Sequence, residues 1–583
     1  MTTVSLDWPM ANTQHGMLVA FGEFLSQHGL IDRLMQVPIA QKMRTFTPQT
    51  KLVEFLAGIM SGIEHLQDLN DGPRPLVKDP VVARAWGQAG LAHYSGVSRT
   101  LDACDERTVA AVEKAVNAFS RPFIATAMDD LLGRGAPLIY DFDLTGQAVS
   151  STSTTYPDAA FGWMNDSVKL GYQLARVCLS PEGRERVWLA GFQHPGDTVS
   201  AACLKELVEA AEAQTGVRPR RRPELVQQRI EAQRQSIART RRLLTAQQVK
   251  LAHLQQTQLT LHGKVYHAEQ VRKGPISKQK AAVLKQQLKG WQRRLPRVAT
   301  QLATCQQVMS KHQRQLLKQE TRLTALFAWQ AQLETDDRTN PNPPPYVEAR
   351  MDAGFATGDN LTWLLEMGYC PNTKAPNGQT ATALRTQLPR HPRWVKVGDN
   401  AEMLGWGEYE LHGCPYPLTA ALERFKVGGA YKYAVLIHYR EDGLCPTLPV
   451  WFQHYNQRQT IEAGNKEMKG TFFVQHLMSR SPAGIRLQVL FTGLAANAVR
   501  WCVPWLKTCA AETTPKLSRT LNSPKHLVRV AANSAAWVQH TLCGTALQFA
   551  PESSLPGVTL FLKGVPAFQL ALGFHQPYKI ASG

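Results

Sequence analysis

No C-x-x-C pair occurs among the ten cysteines, which are scattered from Cys104 to Cys543. Neither a zinc module nor a disulfide framework is therefore legible, and a reducing cytoplasm is the expected compartment. Nor does a basic segment lead into an apolar run near Met1, so no signal peptide is expected. Long apolar runs are also missing. Residues 487–505 come nearest, but Gln488, Asn497 and Arg500 interrupt them, which predicts a buried core helix rather than a membrane span. Acidic residues are scarce beside basic ones, 46 against 65, and the formal charge is +19 in 583 residues. A polyanion, most simply nucleic acid, is the expected partner. The length predicts two to four domains, each with enough chain to bury a core.

The surplus charge sits in one place. Across residues 218–333, 24 lysines and arginines face 4 glutamates, a surplus of 20, so the remainder is nearly neutral. Ile230, Ile237, Leu244 and Leu251 repeat every seventh position, as do Leu288, Leu295, Leu302, Met309, Leu316 and Leu323. These repeats predict an antiparallel coiled-coil hairpin, with Gly263 and Gly274-Pro275 between its arms and kinks at Gly290 and Pro296. A basic arm of this kind suits DNA gripping. A dimerisation coil with a merely solvated surface is the plainer reading, and the two roles are compatible.

Before the hairpin, residues 15–125 read as helical, a compact domain that invites a DNA-contacting role. A strand follows at 137–146, with Leu138, Tyr140, Phe142 and Leu144 on one face and Ile139, Asp141, Asp143 and Thr145 on the other. Aspartates are depleted in strands, so two on one face need a reason. Strand-like runs at 168–179 and 186–192 and a helical run at 200–215 complete the order expected at the start of an RNase H-like core. After the hairpin a Pro-rich linker leads into a short strand ending at Asp352, where a glycine turn exposes the carboxylate at the rim of an α/β sheet.

A final stretch runs from Tyr455 to Lys469. Tyr455, Arg458, Glu462 and Lys469 stand at helical offsets of 0, 3, 7 and 14, on one stripe of a continuous helix, with Ile461 and Met468 facing away. Taken alone it reads as a solvated charged face. Together, three acidic positions on separate elements, a stripe of phosphate-binding groups and a basic arm suggest phosphoryl transfer on DNA. Two divalent cations would need only a few convergent carboxylates.

The spacing Tyr455-x2-Arg458-x3-Glu462-x6-Lys469 resembles the Y-R-E-K signature of bacterial DDE-type insertion-sequence transposases of the insertion-sequence-4-like superfamily. Asp143-Leu144-Thr145 looks like their first D-x-T strand, Asp352-Ala353-Gly354-Phe355 like their second aspartate, and residues 62–70 like the helical domain of the insertion-sequence-1380 type. The resemblance covers roughly 45–215 and 345–505; the coiled insertion departs from it. It implies that Asp143, Asp352 and Glu462 bind two Mg2+ ions, with Mn2+ able to substitute, and that Tyr455, Arg458 and Lys469 hold DNA phosphates. The D-x-T match favours Asp143 over Asp141 as first ligand.

The implied reaction is cleavage at transposon ends and strand transfer into target DNA. The enzyme would be a dimer or higher oligomer, acting in the bacterial cytoplasm on double-stranded DNA, with no membrane. A non-catalytic DNA-binding scaffold and a stand-alone nuclease are the competing functions. The expected fold class is α/β with an RNase H-like core. The expected layout is a helical domain at 1–130, core segments at 131–216, 341–395 and 454–510, the basic hairpin at 217–340, a mostly β insertion at 396–453 and a C-terminal α+β region at 511–583, helical near 526–541 and β-like at 557–562 and 568–572.

Overall fold

Alternation along residues 137–146 becomes a long strand whose apolar face, Leu138, Tyr140 and Phe142, is buried. The computed structural model that places it describes residues 10–564 apart from 153–154, 165, 182, 341–342, 440–445, 513 and 542. The chain divides into two compact units, Arg220–Asn342 with Leu365–Gly368 and all the rest.

The larger unit begins with β1 (Ala11–Thr13) and helices α1 (Gly16–Gln27), α2 (Leu30–Met35), α3 (Pro48–Ser61), α4 (Asp68–Asp71), α5 (Pro80–Ala85), α6 (Tyr94–Ala103) and α7 (Glu106–Gly133). Local signals set their ends. Thr47 caps α3 ahead of Pro48, and Gly62, at φ 73, closes it. The Asp105 carboxylate accepts the Thr108 backbone N–H at 2.9 Å to start α7. Strands β2 (Leu138–Ala148), β3 (Ala160–Met164), β4 (Ser167–Leu179) and β5 (Val187–Pro195) and helix α8 (Ser200–Thr215) follow, close to the expected runs.

Beyond the smaller unit come β6 (Val347–Arg350), α11 (Gly358–Glu366), β7 (Cys370–Lys374), α12 (Gly378–Thr386), β8 (Val395–Lys396), β9 (Ala401–Tyr409), β10 (Leu418–Val427) and β11 (Ala430–His438). The chain ends through α13 (Leu448–Asn456), α14 (Gln459–Thr471), α15 (Pro482–Cys509), α16 (Pro515–Leu521), α17 (Pro524–His526), β12 (Ala536–Thr541), β13 (Gly544–Phe549) and β14 (Thr559–Lys563).

The fold is mixed α/β around a ten-stranded mixed sheet. Its heart runs β5-β4-β2-β6-β7, with β2, β6 and β7 parallel and β4 antiparallel to both β2 and β5. Helix α8 connects β5 toward β6, and α11 connects β6 to β7.

Three features differ from the sequence expectation. Strands β9–β11 form no sheet of their own; β11 pairs with β7, so they extend the main sheet. The N-terminal helices do not stand apart either. They share one core with α15 and with the sheet β1-β12-β13-β14, because Ala11 pairs with Val538 and the apolar faces of α1 and α3 meet residues of α15 and of that sheet. Residues 526–541, expected to be helical, turn after Ala531 into β12. The run 568–572 lies outside the described residues. Residues 487–505 lie within α15, the one helix among the described residues long and apolar enough to cross a membrane. Its polar interruptions are satisfied within the fold: Asn497 accepts from Trp188 N at 2.9 Å and donates to Trp188 O at 2.8 Å.

The smaller unit is a helical hairpin of α9 (Pro223–Lys273) and α10 (Lys278–Arg338). Gly263 does not break α9, which at 51 residues extends about 76 Å. Gly290 and Pro296 both lie inside α10. The seam buries Ile230 and Ile237, then shifts by three positions to Leu254 and Leu261, which pack with Val298, Leu302 and Cys305. Within the same unit, Glu366 accepts from Arg229 at 2.5 Å and from Trp329 at 2.8 Å.

Candidate active site

The polar face of β2 lies under α14. Asn465 Nδ2 donates to Asp143 Oδ2 at 2.5 Å, Lys469 Nζ donates to Thr145 Oγ1 at 2.8 Å, and Arg458 Nη1 lies 3.5 Å from Asp143 Oδ1. The other Arg458 Nη donates to Glu462 Oε1 at 3.0 Å. One guanidinium thus bridges two of the three expected carboxylates. Asp352 lies two residues past β6, where its Oδ1 accepts the Gly354 N–H at 2.9 Å. It is near enough to Asp143 for their charges to be felt.

These carboxylates crowd one another. Burial pushes Asp143 up to about 7, the Arg458 charge opposes this, and the Asp352 and Glu462 charges add to it. Burial also raises Asp352, against Arg458 and two backbone N–H groups. The oxygens of Asp143, Asp352 and Glu462 do not all meet within 4.8 Å, as do the donors of Glu64, His65 and His476 or of His194, Cys203 and Glu206. A single ion would require such closeness. The trio offers carboxylate oxygens, the hard donors that Mg2+ prefers.

Asp141 stands in different surroundings from Asp143. It is fully buried and held by Arg350, Nε to Oδ1 at 2.7 Å and Nη2 to Oδ2 at 3.0 Å, with Ser180 donating to Oδ2 at 2.5 Å. All its charge is spent inside the protein. Arg350 also donates to the His454 carbonyl at 2.9 Å and so ties the end of α13 to the sheet.

The expected single helix from Tyr455 to Lys469 is two. α13 ends at Asn456, and contacts from Arg458 N to Tyr455 O (3.0 Å) and from Ile461 N to Arg458 O (2.8 Å) tighten the turn before α14. Tyr455 consequently leaves the stripe. It is buried, its hydroxyl donates to the Met351 carbonyl at 3.4 Å, and burial pushes it up to about 12. It lies beneath the turn that presents Arg458. The stripe that survives is Arg458, Glu462, Asn465 and Lys469, while Ile461 and Met468 are buried behind it.

Two residues of the site were not singled out from sequence. Asn465 carries no charge, although its spacing of three from Glu462 and four from Lys469 places it on the same stripe. Arg176 stands opposite Asp143 on β4, fully buried, and donates to Asn465 Oδ1 at 2.9 Å. Burial lowers its guanidinium to about 9, which leaves it charged at neutral pH. No alternation rule separates it from an ordinary strand arginine. Gly464 lets α14 approach, since a Cβ there would lie 2.8 Å from the Trp188 ring.

No protein-family model matches the chain, and no match is found among curated proteins.

Proposed function

We propose that the chain is a DNA transposase with an RNase H-like core, cutting transposon ends and joining them to target DNA in a reaction that depends on Mg2+ or Mn2+. One observation carries the reading. Asp143 on a central strand, Asp352 just past the neighbouring parallel strand and Glu462 on a helix laid against them stand in a sheet ordered β5-β4-β2-β6-β7. The gathering of these three carboxylates beside the mixed sheet supports the RNase H-like reading. The Y-R-E-K spacing and the hairpin's charge support DNA as substrate.

Asp143, Asp352 and Glu462 would hold the cations, which when bound supply a polarised water or 3′-hydroxyl and stabilise the leaving oxygen. Asn465 fixes Asp143 by hydrogen bond, and Arg176 fixes Asn465 in turn. Arg458 and Lys469 supply positive charge for the phosphates beside the cut; Lys469 is lowered by burial and by Arg176 and engages Thr145. In the first step water attacks a phosphodiester at the element's end and the bond to the 3′ oxygen breaks. In the second, the released 3′-hydroxyl attacks a target phosphodiester and displaces another 3′ oxygen, so phosphodiester bonds are conserved. A dimer or larger assembly would bring two ends together.

The test is strand transfer. Purified protein with Mg2+ and DNA bearing its own element's end should give cleaved ends and end-target joints. Binding without cleavage would favour the scaffold reading, and cleavage without joints a stand-alone nuclease.

A further inference from the structure

At the far end of β5, His194 stands over the first two turns of α8, which bring Cys203 and Glu206 to the same face. One donor atom from each, imidazole nitrogen, thiol sulfur and carboxylate oxygen, lies within 4.8 Å of the other two. His194 Nε2 and Glu206 Oε1 are 2.6 Å apart, yet neither atom has a hydrogen-bond partner of acceptable alignment among the described residues. A neutral His–Glu hydrogen bond would point the N–H at the oxygen. Here the two atoms are close but not aligned for that bond. Cys203 is fully buried, and its thiol donates a long hydrogen bond, 3.8 Å, to the Val199 carbonyl. His194 also borders a cleft lined by Asp158 and Tyr172.

We propose that His194, Cys203 and Glu206 form a binding site for a borderline-soft divalent cation, Zn2+ by preference. A nitrogen, a sulfur and an oxygen donor select zinc over Mg2+, which favours oxygen alone. Bonds of about 2.0–2.3 Å to three ligands leave a fourth, solvent-facing position for water. Closing the site requires the His194–Glu206 pair to open by under about 1 Å to reach tetrahedral spacing. Binding releases the Cys203 thiol proton to solvent. The ion would pin the end of β5 to the start of α8. The site is independent of Asp143, Asp352 and Glu462, and its chemistry does not depend on transposition.

The experiment is Co2+ titration of the full chain, stripped with chelator under reducing conditions, in excess Mg2+. The expected result is a thiolate-to-cobalt charge-transfer band that saturates at one equivalent and is bleached by Zn2+. His194→Gln, at a partly exposed position, and Cys203→Ser should each abolish the band or weaken Co2+ binding at least tenfold, with circular dichroism unchanged. His476→Gln, in the separate Glu64, His65 and His476 group, and Asp143→Asn should retain the band. Absence of a band in the unmodified chain, or an equal band and affinity in His194→Gln, overturns the site.

Discussion

Asp143, raised to about 7 from about 3.9 in an unfolded chain, holds a proton in the folded state across that window. The folded state thus binds more protons than the unfolded one between those values, so this group's contribution to stability falls as pH rises through about 4 to 7. Asp143→Asn should therefore be no more stable than the parent near pH 4 and gain on it up to pH 8, by at most about 2–4 kcal/mol. Urea unfolding across pH measures this, and a pH-independent difference contradicts it. Mg2+ should raise the parent's melting temperature more at pH 8 than at pH 6, and Asp143→Asn should lose that dependence. Asn465→Ala removes a donor to Asp143 and an acceptor for Arg176 together. It should cost about 1–3 kcal/mol and slow cleavage at least tenfold, read by unfolding and single-turnover assays.

At the scale of elements, the joint between α13 and α14 decides where Arg458 points, and Arg350 holds that joint through Asp141 and the His454 carbonyl. Arg350→Met leaves Asp141 buried and unpaired and should cost about 3–5 kcal/mol; adding Asp141→Asn should recover a good part, measured in a double-mutant cycle. This joint also marks how far the sequence could be read. The period of two along 138–145 gave β2 and its acidic face, and the glycine after Asp352 gave the rim carboxylate, because strand and turn signals are local. The break between α13 and α14 was hidden because a 3.6-residue period continues across one tightened turn without any Gly or Pro to mark it. Arg176 and the pairing of β11 with β7 were illegible for another reason: both depend on partners distant in the chain. Gly263 looked like a breaker, but a single glycine costs about 1 kcal/mol in a helix and the buried seam of Leu254 and Leu261 outweighs it.

For the whole molecule, most of the surplus charge lies in the smaller unit, and the carboxylate site lies in the other. On the proposed function, gripping and cutting should be separable. Replacing 220–342 by a short flexible linker should weaken duplex binding and flatten the dependence of log affinity on log salt by several units, since each lost phosphate contact removes about 0.9. An unchanged slope in a filter-binding or fluorescence series would assign the hairpin to assembly alone. The central claim is that Asp143, Asp352 and Glu462 form one cation-dependent cutting centre, and single-turnover cleavage of end-bearing DNA tests it most directly. The parent should cut in Mg2+ or Mn2+ and stop when the metal is chelated, while Asp352→Ala and Glu462→Ala bind the DNA with unchanged affinity and cut at least a thousandfold more slowly, about 4 kcal/mol of lost transition-state stabilisation. Cleavage at the parent's rate by either variant would contradict the account.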